Sequence, residues 1–244
     1  MRTPRIQASS GAPVEISVVL PCLNEAATLS RCVAKARWSL AHSGIVGEVI
    51  VADNDSTDDS RAIAIAAGAR VVDVPARGYG RALMGGVEAA RGGYILMADA
   101  DDSYDLREVP RFVQRLRQGF DLVQGCRLGS GGGTILEGAM PALHRWVGNP
   151  MFTAIARLVF GVRVHDVHCG MRAFTRALYD ELGLRAPGME FALEMVIAAT
   201  RRGARISELP ITLYPDGRTE HPPHLRTFRD GLRALQLCLR LGLG

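Results

Sequence analysis

Short apolar runs and stretches of helical periodicity take turns along the first hundred residues of the chain. Glu15 to Pro21 (EISVVLP) is a short apolar run ended by proline and predicts a buried strand. Leu29, Val33, Ala36, Arg37 and Leu40 then fall at helical spacing, with Asn24 or Thr28 available as cap. Glu48 to Ala52 (EVIVA) predicts a second strand, running into the polar turn Asp53-Asn54-Asp55-Ser56-Thr57-Asp58 and a short alanine-rich helix that ends at Gly68. Arg70 to Val74 reads as a third strand, Tyr79 to Ala90 as a helix, and Tyr94 to Ala98 as a fourth strand. Strands separated by such helices imply right-handed crossovers and a largely parallel sheet. The fold class is α/β.

Further on, the pattern predicts a helix near Arg107 to Arg117 and a strand at Asp121 to Gly125. A glycine-rich loop, Gly129 to Gly133, precedes a helix from about Ala142 to Phe160. Glu190 to Arg202 reads as a helix, Arg205 to Leu213 as a strand, and Leu225 to Leu239 as a final helix. No internal repeat or long linker divides the chain, so residues 14–224 are expected to form one domain. Residues 1–13 are expected to be a disordered tail, and 225–244 an amphipathic C-terminal helix.

Composition excludes several classes. The chain has 244 residues, 48% of them hydrophobic and 22% charged, ordinary values that rule out intrinsic disorder and a disulfide-stapled miniprotein. No window holds about eighteen uncharged apolar residues, so no transmembrane helix is expected in the chain as it stands. The segment MRTPRIQASSGAP lacks the apolar core of a secretory signal. Five scattered cysteines (Cys22, Cys32, Cys126, Cys169, Cys238) with no CxxC pair fit a reduced, cytoplasmic compartment and no structural zinc. The formal net charge of +4 resides wholly in residues 201–244, where eight arginines face four carboxylates. An anionic partner would be drawn there. Lysine occurs once, at Lys35, against 28 arginines, which reads as genomic bias.

In an open parallel sheet, ligands bind beyond the carboxyl ends of the strands. Three polar clusters fall there: Asn24-Glu25, Asp53 to Asp59, and Asp99-Ala100-Asp101-Asp102. Three carboxylates in four residues repel one another unless a cation lies among them. Asp99 and Asp101, two apart on an extended segment, can both turn toward one Mg²⁺ or Mn²⁺. The plainer alternative is an acidic turn capping the helix near Arg107, and capping alone explains most of Asp53 to Asp59.

These segments, Pro21-Cys22-Leu23-Asn24-Glu25, Asp53 to Asp58 and Asp99-Ala100-Asp101, resemble the ordered signature of family 2 glycosyltransferases of GT-A fold. Gly78-Tyr79-Gly80-Arg81-Ala82-Leu83, Met97 to Asp101, Gly125-Cys126-Arg127, Cys169 to Phe174 and Gly188-Met189-Glu190-Phe191 are similar to dolichol- and polyprenyl-phosphate hexosyltransferases. The resemblance implies that Pro21, Glu25 and Asp53 hold the nucleoside. It places Asp99 and Asp101 on metal and diphosphate, and brings Arg127 and Arg218 to the phosphates. Asn24, Gly78, Arg81, Ala100 and Glu190 complete the expected nucleotide-sugar site. Glu190 stands where many such enzymes carry lysine, which leaves UDP- and GDP-sugars equally open.

The expected reaction moves a hexose from a nucleotide-sugar to polyprenyl phosphate, with Asp101, Arg127 and Asp166 as catalytic residues. A phosphate acceptor is already anionic and needs no general base; a hydroxyl acceptor needs one, and Asp166 is the candidate, with Glu190 behind it. A soluble hydroxyl acceptor and a non-catalytic nucleotide-binding protein stay open as alternatives. His165 and His168, three apart, read as local hydrogen-bonding groups before metal ligands. Gly129 to Gly133 lacks the lysine and hydroxyl of a phosphate loop, and Gly78-Tyr79-Gly80 is too short for a dinucleotide fingerprint. The loop reads as a mobile acceptor loop or as plain flexibility. In the last helix Leu225, Phe228, Leu232, Leu235 and Leu239 form one stripe, with Arg226, Arg229, Arg233 and Arg240 mostly off it. That stripe either packs on the sheet or meets an anionic membrane, which would place the protein at the inner face of the membrane. No nucleic-acid partner is expected.

Overall fold

The first buried strand sets the frame. In the computed structural model, which describes residues 13–218 and 227–242, β1 (Ile16–Cys22) is buried along its whole length. It pairs in parallel with β2 (Gly47–Asp53) on one side, which in turn pairs with β3 (Arg70–Asp73). The intervening helices α1 (Leu29–His42), α2 (Ser60–Ala66) and α3 (Tyr79–Ala89) supply the crossovers. On its other side β1 pairs in parallel with β4 (Tyr94–Met97). The N-terminal tail up to residue 12, and Leu225 and Arg226 of the last predicted helix, lie outside the described residues.

After β4 come a 3₁₀ turn (Leu106–Glu108), α4 (Val109–Arg117) and β5 (Leu122–Cys126). A second 3₁₀ turn (Gly129–Gly131) leads to β6 (Thr134–Ile135). The helix predicted over 142–160 is a π-helical turn, His144–Gly148, running into α5 (Asn149–Phe160). Pro150 explains the slip, because it has no N–H to give to the carbonyl four residues back.

Besides the two-residue β6, two elements escaped the sequence pattern. β7 (Arg172–Thr175) leads straight into α6 (Arg176–Leu182). β7 lies between β4 and β5 and runs antiparallel to both. Then follow α7 (Phe191–Arg201), β8 (Ile206–Pro210), β9 (Thr212–Leu213) and α8 (Thr227–Gly242). The strand expected over 205–213 is thus broken at Ile211: β8 pairs with β5 in the main sheet, and β9 pairs with β6 in a two-stranded one. The main sheet has the order β3-β2-β1-β4-β7-β5-β8.

Alternation along β1 sorts the core into two layers. Val18 and Leu20 join Leu29, Val33, Phe112 and Val123 on one face, while Val19 joins Ile50, Leu83, Phe174 and Phe191 on the other. With both faces covered, polar side chains are left to the strand ends. That is where the candidate chemistry collects.

Candidate active site

Asp53 closes β2, opposite Cys22 of β1. Only 1% of it is exposed. Its Oδ2 accepts from Arg61 Nη1 at 2.8 Å, but Oδ1 is buried with no hydrogen-bond partner among the described residues. A buried acceptor in that state is costly unless a ligand supplies a donor. Pro21, buried in β1 opposite Ala52, lies one position away.

The neighbouring turn is scaffolding. Asn24, with a left-handed φ of 58°, accepts from Thr57 N through Oδ1 at 2.8 Å, and its backbone N–H donates to Ser56 Oγ at 3.0 Å. It therefore ties the β1 loop to the β2 loop, and it does not cap α1. Thr28 occupies the N-cap position of α1, but its hydroxyl makes no capping bond and donates to Ala100 O at 2.7 Å instead. Asp58 accepts from Ser60 N at 3.0 Å and, across the loops, from Ala26 N at 3.1 Å, while Asp59, at the N-cap of α2, makes no side-chain capping bond, so the expected capping is only partly formed. Gly78 N donates to Asn54 Oδ1 at 2.7 Å. A side chain at Gly78 would meet Pro187 O.

The acidic run after β4 splits in two. Asp102 adopts a left-handed φ of 64° and turns away to Lys35 Nζ (2.7 Å) and Arg31 Nε (3.1 Å). It is thereby removed from the group of three carboxylates that the sequence placed around one cation. Asp99 and Asp101 remain. Asp99 Oδ1 accepts from the Tyr79 hydroxyl at 2.7 Å, and Asp101 Oδ1 from Ser103 N (3.0 Å) and Oγ (2.6 Å). Burial, and then the charge of Asp101, push the Asp99 carboxyl up to about 6. A divalent ion would relieve that repulsion, and the all-oxygen donor set suits Mg²⁺ or Mn²⁺. No cluster of three potential ligands occurs among the described residues, so a bound ion would complete its shell with substrate phosphate and water.

Arg218 does not stand free for a phosphate. Its Nη1 donates to Glu25 Oε1 at 3.0 Å and its Nη2 to Asp101 Oδ2 at 3.2 Å, and Asp216 takes the other edge of the guanidinium.

Arg127 and Asp166 form the other side of the site. Asp166 is fully buried and Arg127 is 8% exposed. Burial alone would raise the Asp166 carboxyl; the charge and hydrogen bonds of Arg127 overcome it and hold it below the usual carboxylate range. With both oxygens occupied by Arg127, Asp166 stands in this structure as the anchor of that guanidinium; the base expected for a hydroxyl acceptor would need it released. Glu208 steadies the same loop, accepting from His165 N (2.8 Å), His165 Nδ1 (2.7 Å, in the tautomer that donates) and Asp166 N (3.1 Å).

Arg172, fully buried in β7, donates to the carbonyls of Cys169 (2.6 Å), Val167 (3.3 Å) and Ala192 (2.6 Å). Sequence reasoning missed Arg172, Tyr79 as the partner of Asp99, and Glu208. Only the Gly-Tyr-Gly and Cys-Gly-Met-Arg segments hinted at the first two. Gly170 N donates to the Tyr104 hydroxyl at 3.0 Å, and a Cβ there would stand 2.5 Å from Asp99 Oδ2.

Three predicted residues fall to the margin. Arg81 is exposed on α3. Ala100 contributes its carbonyl to Thr28 and Cys32. Glu190 sits at the start of α7, accepting from Gly188 N at 3.3 Å, and is not hydrogen-bonded to any other predicted site residue among the described ones.

Fold and site define an α/β protein that gathers carboxylates at the carboxyl edge of a mostly parallel sheet. The chain belongs to glycosyl transferase family 2, whose profile matches residues 17–183. It is 39% identical over 235 residues to the low-salt glycan biosynthesis hexosyltransferase Agl6 of Haloferax volcanii, an alignment covering 96% of this chain and 55% of that protein. The chain therefore spans about half the length of that relative. It is 32% identical over 193 residues to the dolichyl-phosphate hexose transferase of the same organism, covering 79% of this chain and 81% of the relative. Among solved structures, glucosyl-3-phosphoglycerate synthase from Mycobacterium tuberculosis, in complex with Mn²⁺, UDP and glucosyl-3-phosphoglycerate, superposes with a TM-score of 0.72 at 29% identity. That match covers 93% of this chain and 79% of the other. The expected GT-A fold is confirmed.

Proposed function

We propose that the chain transfers a hexose from a UDP- or GDP-sugar to polyprenyl or dolichyl phosphate, with inversion at the anomeric carbon. The observation that carries this reading is the Arg127–Asp166 pair. The guanidinium is buried, and Asp166, with both oxygens engaged by it and its carboxyl held below the usual range, is poorly placed to act as a base; on this reading Arg127 faces the acceptor. A phosphate acceptor fits that arrangement, since its oxygen is already anionic and forms the new bond as the bond to diphosphate breaks. The name of the dolichyl-phosphate relative agrees. Pro21, Glu25 and Asp53 hold the nucleoside, with Asp53 Oδ1 taking a donor from the base. Asp99 and Asp101 hold Mg²⁺ or Mn²⁺, which supplies charge to neutralise the departing diphosphate.

The lipid end has its own support. Phe228, Leu232, Leu235 and Leu239 of α8 are exposed, 88% in the case of Phe228, while Ala234, Leu237 and Cys238 pack inward. The described members of the stripe thus lie on the outward face of the helix, which of the two readings open from the sequence supports the interfacial one over packing on the sheet. Trp146, Val147 and Leu158 before and along α5 are exposed as well. No helix among the described residues is long and apolar enough to cross a membrane. With Arg229, Arg233 and Arg240 beside the stripe, α8 lies on an anionic membrane surface at its cytoplasmic face.

A second reading, a soluble phosphorylated acceptor, is favoured by the glucosyl-3-phosphoglycerate bound in the structural relative. One experiment separates them: UDP- and GDP-sugars are offered with polyprenyl phosphate in anionic liposomes, or with soluble phosphorylated acceptors. Transfer to the lipid, with liposome binding that weakens as salt rises, supports the proposal. Transfer only to soluble acceptors overturns it.

A further inference from the structure

Arg218 ends a segment that is stitched onto the acidic loop. Leu213 forms an antiparallel bridge with Tyr104, Tyr214 N donates to Ser103 O at 2.9 Å, and Gly217 N donates to Asp101 O at 2.9 Å. These bonds deliver the Arg218 guanidinium to the gap between Glu25 and Asp101, two buried or half-buried carboxylates from different strand ends. Asp216 grips its far edge. The side chain is 9% exposed, so solvent does little to screen it.

We propose that Arg218 is a built-in counter-ion with which a divalent metal must compete for Asp101, and that it helps hold the same metal once a nucleoside diphosphate arrives. The inference rests on the reading of Asp99 and Asp101 as metal ligands. A divalent ion on Asp101 and a guanidinium on the same carboxylate repel each other, so Arg218 lowers affinity for the bare ion. Diphosphate reverses the sign. It brings negative charge on which Nη1 and Nη2, exchanging Glu25 and Asp101 for phosphate oxygens, can close as a fork, and repulsion becomes shared attraction. Arg218 thus ties metal binding to donor binding, so that the ion alone does not occupy the site at low concentration. A residue that merely held the loop together would move both affinities the same way.

The test is Mn²⁺ binding to the full chain, read from the electron paramagnetic resonance signal of free Mn²⁺, with and without UDP or GDP. Arg218→Gln is expected to bind bare Mn²⁺ roughly tenfold more tightly, the scale of one removed positive charge a few ångströms away. In the same variant, nucleoside diphosphate in the presence of Mn²⁺ is expected to bind roughly tenfold more weakly. Arg218→Lys, which keeps the charge and loses the fork, should stay near the wild type for the bare ion and weaken only the nucleotide. Arg218→Met, which also removes the charge and keeps an unbranched side chain in the buried gap, should shift both affinities as the Gln variant does; it carries the test if the Gln variant does not fold. Unchanged or weaker Mn²⁺ binding by the Gln variant, or by Arg218→Met in its stead, overturns the proposal. Mn²⁺ binding that survives in Asp99→Asn overturns the underlying metal reading along with it.

Discussion

Asp166 accepts from Arg127 at three points: Nε at 2.7 Å, Nη2 at 2.9 Å and the backbone amide at 3.0 Å. No sequence pattern joins residues 39 positions apart, and the pairing turns an expected base into an anchor.

Asp166→Asn should therefore leave a buried guanidinium without its anion. A loss of roughly 3–5 kcal/mol is expected from breaking such a pair, read as a lowered urea midpoint. Residual activity should fall without any change in the shape of the pH profile of kcat. Disappearance of an acid limb in that profile would return Asp166 to the role of base.

Asp53→Ala removes the buried Oδ1 acceptor. Nucleoside contacts are made equally in ground and transition states, so KM for the nucleotide-sugar should rise about tenfold or more with kcat little changed. Steady-state kinetics decide this. A pure kcat effect would place Asp53 at the reacting carbon.

Gly170→Ala puts a methyl group 2.5 Å from Asp99 Oδ2. The variant should fold yet lose most metal-dependent nucleotide binding, as Asp99→Asn and Asp101→Asn should. Thermal shift with UDP or GDP, with and without Mn²⁺, measures all three. Normal binding in the alanine variant would show that Oδ2 faces no ligand.

His168 carries a pH signature. Burial, and the nearby Arg127 and Arg172, push its imidazole down to about 4, although Asp166 pulls the other way. Its Nδ1 is buried without a hydrogen-bond partner among the described residues. The unfolded chain thus binds more protons between about 6.5 and 4, so stability should be full above pH 6.5 and decline as pH falls through that window. His168→Phe should flatten this slope in urea titrations at pH 5 and 7.5. An unchanged slope would assign it to other groups.

The parallel half of the fold was legible because each strand is an apolar run that ends in polar turn chemistry, as in Val49 to Asp53. β7 was not, since its first residue is a buried arginine. Arg172 breaks the apolar pattern, and only tertiary carbonyls make its burial tolerable. The break at Ile211 depends on which sheet each half joins, and one run of residues cannot encode that. In the site, Asp99 and Asp101 were visible from spacing. Asp102 was not separable from them, because its left-handed backbone and its partners on α1 are not written in the local sequence. The same holds for Arg218, whose partner Glu25 lies 193 positions away.

Because β7 runs backwards, it brings its leading residues to the catalytic edge, where the parallel strands bring their trailing ones. The segment that arrives there comes directly from α5, with only residues 161–165 between Phe160 and Asp166. α5 is therefore the handle of a short lever whose tip is the anchor of Arg127. Its outward side chains, Leu158 among them at 87% exposure, give an outside surface a grip on that handle. If α5 seats on a surface as proposed, a displacement of that helix has only a few residues in which to dissipate before it reaches the carboxylate that holds Arg127.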